Sequence, residues 1–144
     1  MKYDVEGTWQ WAAERMIRTH DMDVPSKLNA DYRRLFDNDQ HIQIARLAWS
    51  EIIASGTPWT AEDQVALLAS KQHDYGTENI LKFGDQGIKV RLWDKISRYY
   101  NLRRRGADPK NESFIDTLKD MIGYSVLQLM VQNNTFTLPL KGDK

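Results

Sequence analysis

"NESFIDTLKDMIGYSVLQLMVQNN", residues 111–134, is the stretch whose reading decides the fold. Phe114, Ile115, Leu118, Ile122, Val126, Leu129 and Met130 recur at three- and four-residue spacing instead of alternating as a strand would. The pattern predicts a helix from about Glu112 to Asn133, with Asn111 as its N-cap. So broad an apolar side places this helix at the centre of a helical domain.

Upstream, "GADPKN" is a turn, and a second long helix is predicted over about Ile88 to Arg105, burying Ile88, Leu92, Ile96 and Tyr99. Its basic end, Arg103 to Arg105, suits the negative pole of the helix before Gly106. Before it, "DYGTENILKFGDQG" carries glycines at 76, 84 and 87 and reads as a loop with a short apolar insert. A further helix covers 60–74, with Thr60 as N-cap and Asp63 completing a capping box. Residues up to about 55 give two or three helices, "TWQWAAERMIRTH", "LNADYRRLF" and "DQHIQIARLAWSEIIA". "TFTLPL" is the one extended stretch, limited by Pro139 to an edge or a tail.

The expected fold is therefore all-α, a single-domain bundle of five to six helices. Residues 1–60 form a helical extension packed on a core over 61–134, and 135–144 an extended tail. The 144 residues suffice for a core without staples, and the absence of cysteine excludes disulfides, thiol nucleophiles and Cys-based metal sites. Twenty basic against twenty acidic residues give no general attraction to nucleic acid or anionic lipid. The N-terminal "MKYDVEGTWQWAAERM" breaks every apolar run with charge, unlike a secretory signal or a membrane span, which leads us to expect a cytoplasmic protein.

Two polar stripes interrupt this pattern. Residues four apart on a helix are offset by only about 40°, so Glu112, Asp116, Asp120 and Tyr124 form one drifting column beside the apolar side. Three carboxylates in a column repel one another. A hard divalent cation, Mg²⁺ or Mn²⁺ in its place, would offset that, and so would neighbouring cations such as Lys119. A merely solvated acidic face is the plain alternative. Mid-helix Gly123 is unfavourable by about 1 kcal/mol relative to Ala, which points to close approach by a neighbour or ligand. On the preceding helix Arg91, Asp94, Lys95 and Arg98 also share a face, either as surface ion pairs or as a wall of a phosphate site. Lys71 and Asp74 fall on one side of the helix before it, Tyr75 offers a ring for a base, and Asn79 an amide.

Taken in order, Lys71, Asp74, Tyr75, Gly76 and Asn79, then Arg91, Asp94, Lys95 and Arg98, then Glu112, Ser113, Asp116, Asp120 and Tyr124 resemble the nucleotide modification associated domain 1 family of phages and bacteria. Its pattern is K-x-x-D-Y-G-x-x-N, V-R-x-x-D-K-x-x-R and E-S-x-x-D-T-x-x-D-x-x-x-Y. More distantly the arrangement is similar to MazG-type all-α nucleoside triphosphate pyrophosphatases, helical oligomers that bind Mg²⁺ through acidic residues on two antiparallel helices. The E-x-x-E and E-x-x-D spacing of those enzymes is replaced here by carboxylates four apart.

The resemblance implies a Mg²⁺-dependent (deoxy)nucleoside triphosphate diphosphohydrolase of phage nucleotide metabolism, in the cytoplasm of the infected host, assembled as a dimer or tetramer. Asp94, Glu112, Asp116 and Asp120 would hold metal, and Asp94, Lys95, Asp116 and Asp120 would form the catalytic set. Lys71, Asp74, Tyr75, Asn79, Arg91, Arg98 and Tyr124 would bind substrate, cations to phosphate and Tyr75 with Asn79 near the base. Two other readings stand beside it: a nucleotide-binding module without catalysis, a sponge or regulator, and a structural oligomer in which the stripes are ion-pair networks.

Overall fold

The computed structural model describes residues 2–25, 31–106 and 113–142. They form an all-α single domain with no strand among the described residues: α1 (Trp9–Thr19), α2 (Tyr32–Asp37), α3 (His41–Ala54), α4 (Ala61–Tyr75), α5 (Glu78–Leu81), α6 (Gly84–Arg105) and α7 (Phe114–Gln132). No described helix is long and apolar enough to cross a membrane.

The apolar periodicity of α7 makes it the axis of the bundle, touching α1, α3, α4 and α6. Leu118, Met121, Ile122, Val126 and Met130 are all buried. Helix α6 runs antiparallel to it, since Lys95 faces Asp120 while Asp85, ten residues earlier, faces Gln128. From the N-terminal side, Trp9, Ala13 and Ile17 of α1 and Ile44, Ala48 and Ile52 of α3 join the same hydrophobic core.

Several local expectations need correcting. The N-cap of α7 is Ser113, whose Oγ accepts from the Asp116 N–H at 3.0 Å; Asn111 lies outside the described residues. Residues 74–87 are not a plain loop, because they contain α5 and the start of α6 at Gly84, four residues before Ile88. Tertiary anchors override the glycines there: Ile80 is buried in the core, and the Asp85 carboxylate, at the positive end of α6, accepts from Gln128 at 2.7 Å. The stretch from Thr135 to Leu140 is a turn-containing tail without a strand. Phe136 is buried edge-on to Trp9, ring centroids 6.3 Å apart, and the Pro139 carbonyl accepts the Trp9 N–H at 2.8 Å, capping the first turn of α1.

Helix α4 is placed by its start. Thr60 and Asp63 form the expected reciprocal capping box. Immediately before it, Trp59 sits in a chain of contacts that crosses the bundle: Trp49 Nε1 donates to the Trp59 carbonyl at 2.9 Å, Trp59 Nε1 to Gln64 Oε1 at 2.8 Å, and Gln64 Nε2 to the Lys119 carbonyl at 3.2 Å. Gln64 is fully buried with both amide atoms engaged, which ties α3, α4 and α7 into one rigid frame.

At the crossing point a side chain on residue 123 would crowd α4. A Cβ there would lie 3.0 Å from Leu68 Cδ2, so Gly123 is what lets α4 lie close against α7.

Candidate functional site

The sharp end of α4 sets one wall of a cleft. Leu68, Lys71, Gln72 and Tyr75 recur at i, i+3, i+4 and i+7 and face it together, and α4 stops at Gly76, whose φ of +71° favours glycine. Asn79 and Ile80 of α5 close one side, Arg91 and Lys95 come from α6, and α7 contributes Asp120, Gly123, Tyr124 and Leu127, again at i, i+3, i+4 and i+7. The enclosed volume is about 500 Å³, within the range of small-molecule sites.

Two ammonium groups from different helices converge on one carboxylate. Lys71 Nζ lies 2.7 Å from Asp120 Oδ1, and Lys95 Nζ lies 2.9 Å from Asp120 Oδ2. The Asp120 side chain is only 12% exposed, so these pairs sit in a medium that screens them less than water does. Arg91 completes the basic wall, with Nη2 donating to the Asn79 carbonyl at 2.8 Å and thereby fixing α5 on α6. The lining thus carries three cations, Lys71, Arg91 and Lys95, against the single carboxylate of Asp120.

The remaining lining suits an aromatic ligand. Burial pushes the Tyr124 hydroxyl's pKa up, assisted by the Asp120 charge and opposed by Lys95, Arg91 and Lys71, so at neutral pH it is a protonated donor. Tyr75 stands 70% exposed at the mouth, its ring accessible for stacking, and Leu68, Ile80 and Leu127 supply apolar floor. Asn79 Oδ1 is buried without a hydrogen-bond partner, an acceptor that a ligand N–H could satisfy on a shift of the Asn79 side chain.

Of the residues singled out from the sequence, Lys71, Tyr75, Asn79, Arg91, Lys95, Asp120 and Tyr124 share this cleft. Asp74, Asp94, Arg98 and Asp116 do not line it. Asp74 is exposed beside His73 Nδ1, 3.1 Å away. Asp94 lies about 60° around α6 from Arg91 and is turned outward, and Asp116 is exposed in the first turn of α7, where its backbone is capped by Ser113. Arg98 donates to the Thr117 hydroxyl at the α6–α7 contact. Glu112 lies outside the described residues. Gln72 and Leu68 line the cleft without having been singled out; completing the helical stripe through Lys71 and Tyr75 would have found both.

The three expected Mg²⁺ ligands among the described residues, Asp94, Asp116 and Asp120, therefore do not gather. Among the described residues no group of three or more histidine, aspartate or glutamate side chains is placed to hold a metal ion. Asp120 is neutralised by two lysines, and Asp94 and Asp116 are exposed. This donor set does not fit a cation held by the protein alone.

A larger groove, about 2140 Å³, opens between α2, α3, α6 and α7, and several of its charges are engaged internally. Glu51 Oε1 accepts from the Tyr99 hydroxyl at 2.6 Å and from Arg103 at 3.2 Å, while Glu51 Oε2 accepts from Tyr32. Lys89 spans Asp39 and Asp85 at 3.0 and 3.5 Å. These bonds hold the groove's walls together, and what sets the smaller cleft apart is the convergence of Lys71 and Lys95 on Asp120.

Compared with models of protein families, with curated proteins and with solved structures, the chain matches none.

Proposed function

We propose that the chain binds a nucleoside polyphosphate in the cleft between α4, α5, α6 and α7. The observation that carries this reading is the convergence of Lys71 and Lys95, with Arg91 in the same lining, in a cleft that also holds Tyr75, Tyr124 and an unsatisfied amide oxygen of Asn79. The cations take the phosphates, where lysine acts as a point charge and arginine as a directional fork. The tyrosine rings and Asn79 receive the base. A divalent ion, Mg²⁺ or Mn²⁺, enters with the nucleotide as its counter-ion.

Hydrolysis of the bound (deoxy)nucleoside triphosphate to a monophosphate and pyrophosphate is the second reading. It is favoured by Asp120, a carboxylate in the same cleft as the phosphate-binding cations, which can accept a proton from water once the phosphates have drawn Lys71 and Lys95 off it.

Thermal-shift and equilibrium-binding measurements over the four dNTPs and four NTPs, with and without Mg²⁺, test both readings when each sample is also analysed by chromatography. Stabilisation with intact nucleotide is the expected result for a binding protein. Appearance of monophosphate and pyrophosphate would establish the hydrolase, and the absence of any binding would overturn the nucleotide reading altogether.

A further inference from the structure

We infer that Asp120 is a resident counterion, seated where a ligand phosphate would sit, which a phosphate ligand must displace from Lys71 and Lys95. It makes the cleft selective for di- and triphosphate chains over a single phosphate. The inference rests on the nucleotide reading above.

The geometry is that of a bridging anion. One carboxylate oxygen takes Lys71 of α4 and the other takes Lys95 of α6, as two oxygens of a phosphate would. The carboxylate stands on a short stem fixed to the central helix, whereas both cations stand on long flexible stems. The Lys71 side chain is 48% exposed, so its ammonium can swing toward an incoming anion without backbone movement.

A ligand drawing the lysines away leaves Asp120 poorly solvated and less well paired, which opposes binding. A single phosphate offers little more than the carboxylate it replaces. A longer chain also reaches Arg91, whose bond to the Asn79 carbonyl uses one of five N–H donors. Asp120 thus sets a charge threshold for entry.

Calorimetric titration of orthophosphate, pyrophosphate and tripolyphosphate in EDTA, into the wild type and Asp120→Asn, tests this. The wild type is expected to bind tripolyphosphate far more tightly than orthophosphate. Asp120→Asn keeps the shape and removes the competing charge, so it should bind orthophosphate about tenfold more tightly and narrow the discrimination. Binding by the variant that is equal to or weaker than the wild type would overturn the inference and leave the nucleotide reading intact, whereas no binding of polyphosphate or nucleotide by either protein would remove that reading itself.

Should Asp120→Asn not fold, carbon NMR of the wild-type Asp120 carboxylate during tripolyphosphate titration decides the matter. Displacement moves that signal together with the Lys71 and Lys95 ammonium signals. A bound ligand that leaves all three unmoved sinks the counterion.

Discussion

Lys119 and Asp120 are consecutive on α7 yet serve different neighbours: the Lys119 ammonium lies 3.9 Å over the Trp59 ring, while the Asp120 carboxylate lies 2.7 Å from Lys71 Nζ. The 100° turn between adjacent helical residues separates them, so the cation nearest in sequence is not one that neutralises Asp120. Lys119→Met should therefore leave tripolyphosphate affinity within about twofold of wild type and lose about 0.5–1 kcal/mol of stability with the cation–π contact. Lys71→Met should weaken tripolyphosphate binding by about tenfold or more. Calorimetry on the two variants side by side checks this, and equal losses would mean that the cleft responds only to overall charge.

Gln64 is the joint that holds α4 at the distance Lys71 needs. Gln64→Leu preserves most of the volume but strands the part-buried Trp59 indole N–H, while the Lys119 carbonyl loses its second donor and keeps its partner within α7. A polar group left unpaired costs about 1–3 kcal/mol, so the variant should lose roughly 1–3 kcal/mol in urea unfolding. Ligand affinity should fall as well, although residue 64 lies outside the cleft. A stable variant with full affinity would mean that the chain from Trp49 to Lys119 does not position the site.

The elements that carry the bundle were readable because each repeats one physical signal. The apolar period of α7, the Thr60–Asp63 capping box and the stop at Gly76 are all local, and the structure retains them. Spacing also places residues correctly on the face of their own helix, as with Lys71 and Tyr75 or Asp120 and Tyr124. What spacing does not contain is how each helix is rotated against its neighbours. That rotation turns Asp120 inward between two lysines while Asp94 and Asp116, equally acidic and equally periodic, are left in solvent. Helix α5 and the early start of α6 were hidden for a related reason, since Ile80 and the Asp85–Gln128 bond act across the fold and outweigh the glycines.

The tyrosine cluster on the far side predicts an alkaline limit. Tyr32 and Tyr99 both donate to Glu51, and burial, then the Glu51 charge and hydrogen bond, hold both hydroxyls well above their ordinary value of 10.0. Because the folded pKa is raised, the stabilisation is complete below pH 10 and is lost as pH climbs toward the folded values, where the unfolded chain releases protons that the folded one retains. The urea midpoint should hold steady to about pH 9 and fall beyond 10. Tyr32→Phe should lower stability at neutral pH by about 1 kcal/mol and flatten that alkaline slope. An unchanged slope would mean that ionisation of this residue does not drive the alkaline loss.

Gly123 joins the fold to the site, because it faces both Leu68 and the cleft. Gly123→Ala gains about 1 kcal/mol of helix propensity but places a methyl 3.0 Å from Leu68 Cδ2, a contact relieved only if Leu68 shifts. The two effects oppose, and a small net change is expected. Gly123→Val adds branches that the crossing of α4 over α7 has no room for, so it should lose about 1–3 kcal/mol. By pushing α4 outward it should also carry Lys71 away from Lys95 and Arg91 and weaken polyphosphate binding. Combining each substitution with Leu68→Ala gives the decisive comparison. If the crowded methyl is the cause, Leu68→Ala should be less harmful in the Gly123→Ala background than in the wild type, and urea unfolding of the four proteins in that cycle measures the coupling. Strict additivity would show that Gly123 is not held to glycine by the packing of α4.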